Sequence, residues 1–429
     1  MIGGPRGLEA VVLVYVALLP LSHLATFSVA GAMANASDLL LAGLVGMGLW
    51  SALRDGSKGA WSFSAAQALP YLVLALFGLW AALSGLWGYH PGFAAAKGGA
   101  YVALGLGAWV VARSGIPWER VADAWLVGAT LALTWLYAAW VAGMLGWAPV
   151  ATERALYFAG AVHGLPFPRP RGPFLHPNLL GDFLVVTAAL LWARWPVLRE
   201  QIPGAARAGA LLLALTLFLT FGSAWVGAGI LMVFWAVRTV RERGPDTGIQ
   251  GIPWRAAAGV AGALGLLMAG GTLLGMLVPL ELRTGPLSIT TDGLRARIWA
   301  SATQAVLEAP LLGVGAAPFL AETWGPEGGI RGFALWDAHS VYLSVVGQFG
   351  LVGLFLVGTG VGMVVYRLAA IPGRLGRGKV AVLAALAAVA LHGVGAAVED
   401  FRHVWLLLGM AGLMSTRPGG EGEASQHGP

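Results

Sequence analysis

Three short runs concentrate the residue types that could do chemistry in this chain. The first, Arg169 to Phe183, reads RPRGPFLHPNLLGDF. Arg171 offers a planar fork of donors suited to phosphate oxygens, and the Pro177-Asn178 step opens a helix whose free amides also favour an anion. The second, Asp292 to Ala300, reads DGLRARIWA. Arg295 and Trp299 stand four apart on one helical face, where an indole can brace a guanidinium, whereas Arg297 points elsewhere. The third, Asp337 to Gly353, reads DAHSVYLSVVGQFGLVG. Asp337 is expected to cap a helix and to place His339 in its first turn, where the positive end of the helix dipole favours the neutral, proton-accepting imidazole; Tyr342 would share that face. Gly347, Gly350 and Gly353 are expected to serve close helix packing. Each run also has a bland reading: arginines snorkelling at an interface, an amphipathic helix on headgroups, a capping histidine.

The elements that must position these residues follow from composition. Charged residues make up 11% of the 429 and apolar types 58%, against about 25% and 45–50% in ordinary globular chains. Mean hydropathy is +0.75. With 64 Gly and 19 Trp, the mixture is that of helices packed in lipid through small residues and anchored by interfacial aromatics. A water-soluble enzyme is excluded, and so, with no Cys, is a disulfide scaffold.

Since a bilayer core takes roughly 20 apolar residues per helix, spans are expected at Leu8 to Ala30, Leu39 to Leu53, Ala66 to Trp87, Gly98 to Ala112, Ala124 to Trp147, Leu179 to Ala193, Ala256 to Val278, Val341 to Tyr366, Val380 to Val398 and Phe401 to Ser415. The uncharged stretch between Arg207 and Arg238 would be too long for one comfortable span, so a hairpin near Gly222 is expected and the count comes to about twelve. With both termini cytoplasmic, 17 of the 26 Lys and Arg fall on the inside and nine outside, as the positive-inside rule prefers. The expected architecture is all-α and polytopic: one transmembrane domain over 1–416 and a disordered cytoplasmic tail over 417–429. Two long outside loops, 148–177 and 280–338, interrupt it. The second is expected to form a lid containing short amphipathic helices, with Asp292 to Glu308 helical along a Leu294, Ile298, Ala302, Ala305 stripe and Pro310 as the stop.

The polar runs gather on the outside face. No Walker loop, His-Glu-x-x-His motif, Cys cluster or carboxylate-rich magnesium motif is present, so neither a metal nor a cofactor is expected. A secondary transporter or flippase of lipid-linked glycans is the alternative from another class. His23 and His392 within spans would serve it as proton relays, but carboxylates are nearly absent from the spans, Asp182 excepted, and no internal repeat is visible.

Taken together, the Arg-Gly and His-Pro-Asn elements at 171 to 178, the Arg-x-x-x-Trp and Pro-x-x-Gly-x-Gly elements from 295 to 315, and the His-Ser-x-Tyr-Leu and Gly-x-x-Gly elements from 339 to 353 resemble the O-antigen ligase and polymerase superfamily of bacterial membrane glycosyltransferases. Their order and the large exterior loop ahead of the histidine match as well. The chain departs from many relatives at Ser223-Ala224, where they carry Ser-Arg, and at Gln348, where they carry an acid. The resemblance implies a GT-C-like enzyme of the bacterial inner membrane. Without a metal, it would move a glycan from undecaprenyl diphosphate to an acceptor hydroxyl, such as that of lipid A core, on the periplasmic face. A repeat-unit polymerase is the alternative within the superfamily. His339 would be the general base; Arg171 and Arg295, assisted by Arg297 or Arg402, would compensate the diphosphate; His176, Asn178, Trp299 and Tyr342 complete the expected binding set. Partners are then the lipid-linked donor, the acceptor and membrane lipid, with no nucleic acid.

Overall fold

The computed structural model describes residues 5–24, 26–29, 32–55, 65–157, 169–220, 229, 293–317, 319–324, 330–336, 338–371 and 376–415. Helices dominate them. Helix α1 (Pro5–Leu18) gives way to a 3-10 turn (Leu19–Leu24) and a hairpin of β1 (Thr26–Val29) and β2 (Ala32–Asn35). The first expected span, drawn to Ala30, therefore stops at Leu18. Pro20 lacks the ladder donor and its ring crowds the carbonyl four residues back, which hydropathy does not register. Helix α2 (Ala36–Asp55) starts on a reciprocal cap: the Asn35 side-chain oxygen accepts the Ser37 N–H at 3.0 Å, and the Asp38 carboxylate accepts the Asn35 N–H at 2.8 Å.

Helix α3 (Ala65–Leu83) carries the membrane signature most plainly. Tyr71, Leu74, Phe77 and Ala81 are buried, while Leu69, Leu72, Leu76, Leu79 and Leu83 form an exposed stripe at alternating spacings of three and four. An exposed leucine stripe is untenable against water and natural against lipid. Helix α4 (Pro91–Arg113) lies so close to α3 that a Cβ on Gly98 would stand 2.3 Å from the Ala82 nitrogen. Then come α5 (Trp118–Met144), α6 (Pro149–Ala155), a small ribbon of β3 (Leu156–Tyr157) and β4 (Arg169–Pro170), α7 (Pro177–Gln201) and α8 (Pro203–Leu219). Helices α7 and α8 run antiparallel, since Arg169 bonds both Asn178 at the start of α7 and the Thr220 carbonyl at the end of α8. That is the outgoing arm of the expected hairpin. Its returning arm, the span Ala256 to Val278, residues 158–168 and 280–292, and the tail all lie outside the described residues.

Beyond them follow α9 (Gly293–Glu308), an antiparallel pair of β5 (Phe319–Trp324) and β6 (Ile330–Trp336), α10 (Val341–Ala370), α11 (Arg377–His392) and α12 (Arg402–Ser415). The long loop thus holds one helix and a β hairpin among its described residues, not short helices alone. The eleventh expected span, drawn to Val398, ends at His392, because Gly393 and Gly395 contribute no side chain to hold a helix against the turn that follows. Among the described residues six helices are long and apolar enough to cross a membrane: 36–54, 66–86, 91–113, 118–144, 177–201 and 341–370.

Helix α10 is broken at Gly350, whose φ of +67° and ψ of −170° lie outside the helical range. The turn after α9 docks into the break. Val314 and Gly315 donate their amides to the Gly347 and Gln348 carbonyls, each at 3.0 Å, while Leu351 and Val352 donate theirs to the Pro310 and Leu311 carbonyls at 2.8 and 3.2 Å. These backbone groups beside the break are thus satisfied inside the protein, as irregular backbone within a membrane bundle requires. Gly350 and Gly313 both adopt positive φ, and a Cβ on either would fall 2.1 to 2.3 Å from the opposing backbone oxygen. The glycines of the third run are therefore not only spacers between helices. The ring cluster of Phe77, Tyr101 and Phe349 packs beneath the break, with centroids 5.1 to 6.3 Å apart.

Candidate functional site

One end of the bundle receives the starts of α2, α4, α7, α10 and α12, and all three polar runs lie there. The first run reaches it through the β3–β4 ribbon, since the Arg171 and Gly172 amides bond the Ala155 carbonyl at 2.9 and 3.0 Å. Pro177 is the first residue of α7, as the sequence indicated, and His176 is its cap; the His176 Nδ1 accepts the Asn178 N–H at 3.2 Å. A nitrogen that accepts carries no proton, so this contact selects the Nε2–H tautomer of the neutral ring. The two arginines of the run differ. Arg171 turns toward the ribbon, donating to the Glu153 carbonyl at 2.7 Å and the Leu175 carbonyl at 3.4 Å. Arg169, which sequence reasoning passed over, is buried at the head of α7 with Asn178 at 3.1 Å and the Thr220 carbonyl at 2.6 Å. The strand pair supplied no sequence signal by which to choose between them.

In the second run, α9 forms from Gly293 to Glu308 and stops ahead of Pro310, as expected. Ile298, Ala302 and Ala305 form its buried stripe and pack with Phe319 and Ala338 into a small cluster of their own. This contact seats α9 beside the residue that precedes His339. Trp299 is buried, and its Nε1 has no hydrogen-bond partner among the described residues. The Arg295 and Arg297 backbones are helical; their side chains lie outside the described ones.

In the third run the helix starts later than expected. Ser340 is the cap and Val341 the first helical residue, so His339 precedes the helix, with a φ of +49° that side-chain-bearing residues adopt rarely. Asp337 lies outside the described residues. Placing His339 in the first turn, on a face shared with Tyr342, is thus corrected: Ser340 takes the extended conformation a cap requires, three residues beyond Asp337. Tyr342 is half exposed, and its hydroxyl donates to the Ala390 carbonyl of α11 at 2.8 Å. The turn bearing His339 is tied down from the other side as well, because the Val341 amide donates to the Gly393 and Ala396 carbonyls at 2.8 and 3.0 Å.

Two further constellations are assembled only by the fold. Asp182, in the second turn of α7, sits 1% exposed between two imidazoles: His392 Nδ1 at 2.6 Å and His403 Nε2 at 2.7 Å, each on its own carboxylate oxygen. It joins α7 to the ends of α11 and α12 and so links the first run to the loop that holds the third. Arg402, expected to face substrate, is instead gripped in a fork by Asp38, at 2.6 and 2.7 Å. His23 bonds Asn35 at 3.3 Å near the same pair. Among the described residues no group of three or more His, Asp or Glu is disposed to hold a metal ion.

A helical membrane protein whose polar runs meet at one end of the bundle, with a long connection keyed into a broken helix, is the class that fold and site define. Residues 208–358 match the family model described as O-Antigen ligase, so the superfamily resemblance read from the motifs is borne out over a stretch containing the second and third runs. No curated protein matches the chain.

Proposed function

We propose that the chain is an O-antigen ligase-type glycosyltransferase of the bacterial inner membrane, transferring a glycan from undecaprenyl diphosphate to an acceptor hydroxyl, such as that of lipid A core, on the periplasmic face. The observation that carries this reading is the packing of α9 against the His339 turn through Ile298, Ala302 and Ala338. It seats the helix bearing Arg295 and Arg297 beside the only histidine of the third run. In the proposed reaction His339 takes the proton of the acceptor hydroxyl as its oxygen attacks the anomeric carbon. The bond from that carbon to the carrier diphosphate breaks with inversion, and the diphosphate leaves with both electrons. Arg295 and Arg171, with Arg297, compensate its charge in place of a cation. Arg169, at the head of α7, joins this set ahead of Arg402, whose guanidinium is engaged by Asp38. The carrier's tail would lie along the leucine stripes that the helices turn outward.

The test is transfer by purified protein in detergent, without a membrane gradient. His339→Ala should abolish transfer with folding intact, and EDTA should leave the parent protein unaffected; full activity in the variant removes the base, and inhibition by EDTA removes the metal-free account. Requirement for a gradient would favour transport instead.

A further inference from the structure

We propose that Glu399 is a positioning residue for His339: with Ser344, Gln348, Lys97 and Asp400 it closes a ring of polar side chains that fixes the first turns of α10 and the turn before them. The inference rests on His339 as the base. The ring is continuous. Ser344 donates its hydroxyl to Glu399, Gln348 donates Nε2 to Ser344 Oγ at 2.7 Å, Lys97 donates Nζ to Gln348 Oε1 at 3.3 Å and pairs with Asp400 Oδ2 at 3.5 Å, and Asp400 is the next residue to Glu399. Tyr101 adds its hydroxyl to Asp400 Oδ1 at 2.7 Å, and Trp405 holds the Glu399 carbonyl at 2.8 Å.

Three segments far apart in sequence meet in this ring: the second turn of α4, the first two turns of α10 and the loop between α11 and α12. That loop also takes the Val341 amide through Gly393 and Ala396. The backbone bonds hold the first residue of α10, while Glu399 holds the residue one turn further on. Loss of the side-chain contact leaves the loop free to shift against the His339 turn. Ser344, Gln348, Lys97 and Glu399 are all under one-tenth exposed, so water does not substitute for a lost partner.

The second Glu399 oxygen, Oε2, is buried with no partner among the described residues, an arrangement that suits a neutral acid better than a carboxylate. Burial, chiefly, and the neighbouring Asp400 push its carboxyl up to about 8 against the pull of Lys97 and Ser344. Below that pH the ring holds one cation and one anion, Lys97 and Asp400. Above it a second anion appears beside Asp400, and the ring is expected to loosen.

The experiment uses the full chain in detergent, with Glu399→Ala, Glu399→Gln and His339→Ala. Diethylpyrocarbonate labelling of His339, read by peptide mass spectrometry, reports on the turn with no need for substrate. It should run several-fold faster in Glu399→Ala, rise in the parent as pH passes about 8, and show no such rise in Glu399→Gln. Identical rates and pH profiles in the parent, Glu399→Ala and Glu399→Gln would overturn the proposal. With undecaprenyl diphosphate-linked oligosaccharide and lipid A core, Glu399→Ala should lower kcat by about tenfold or more with donor KM little changed, and Glu399→Gln should restore it at neutral pH. A drop in kcat that Glu399→Gln does not restore, with His339 labelling unchanged, would make Glu399 a merely structural residue and overturn the assignment. Full transfer by His339→Ala would sink the base instead, with the labelling still deciding whether Glu399 governs that turn. Should Glu399→Ala not fold, Ser344→Ala takes its place in each comparison.

Discussion

At the scale of single residues, several buried ionisable groups among the described residues are held in pairs or larger sets. Asp182 is the most demanding case, a carboxylate 1% exposed that holds two imidazoles. Removing one partner of a buried ionic set leaves uncompensated polar groups, so Asp182→Ala should cost about 3–5 kcal/mol, read as a lowered unfolding midpoint in detergent. Glu399 predicts a pH dependence of the opposite kind. Its carboxyl titrates near 4.5 when free and at about 8 in place, so between those values the folded protein binds the extra proton and stability falls as pH rises. The parent should lose unfolding midpoint relative to Glu399→Gln across that window and hold a constant difference above it; parallel curves from pH 4.5 to 8 would show that Glu399 is ionised throughout. His339 was expected inside its helix and stands before it, whereas the helix start at Pro177 and Asn178 was legible in the sequence. The partners of Asp182 were not, for they lie 210 and 221 positions along the chain, and no local pattern encodes so distant a contact.

At the scale of elements, the break in α10 decides how the long connection is attached. The turn Pro310 to Gly315 docks into the break with Gly313 and Gly315 buried and Leu311 and Leu312 exposed; the Trp87 indole donates to the Gly313 carbonyl at 3.0 Å, the Trp80 indole to the Phe349 carbonyl at 2.9 Å, and the Ala316 amide to Ser84 Oγ at 3.0 Å. This part of the expected lid is an anchor. Gly350→Ala forces a side chain into positive φ, costing about 1–3 kcal/mol, and against the Leu311 carbonyl besides. Limited proteolysis should then cut the connection between α9 and α10 faster than in the parent, with α3 and α4 still protected; unchanged cleavage would mean that the docked turn does not restrain it. The glycines and Pro310 were visible in the sequence as a pair of motifs. That one motif fills the gap in the other was not, because the hydrogen bonds run between backbones and leave no trace in residue type.

At the scale of the whole molecule, the charges sort by end. Lys97 with Asp400 and Arg402 with Asp38 mark the end bearing His339; Arg120 with Glu9 and Arg194 with Asp123 mark the opposite end. The positive-inside rule would put the second set in the cytoplasm. The chain has no Cys, so single cysteines report orientation cleanly. Tyr89→Cys, exposed beside the docked turn, should react with an impermeant maleimide from outside intact cells once the outer barrier is opened, and Gln201→Cys, exposed at the end of α7, only after lysis. The reverse pattern would invert the topology and move the proposed chemistry to the cytosol.

What the sequence determined by itself is what depends on composition and on spacing within a few residues: a helical membrane protein, the start of α7 at Pro177, the amphipathic stripe and stop of α9, and three polar runs, the second and third of which lie in the stretch 208–358 that matches the O-Antigen ligase family model. Local hydropathy and capping chemistry act over one or two turns and can be read there. The tertiary structure alone decided which arginine is buried at the head of α7, that Arg402 is spoken for by Asp38, that His339 stands before its helix, and that Lys97, Ser344, Gln348, Glu399 and Asp400 form one circuit. Those outcomes depend on which distant segments come to share a low-dielectric interior, where an unpaired polar group is expensive and each one must find its partner wherever the fold supplies it.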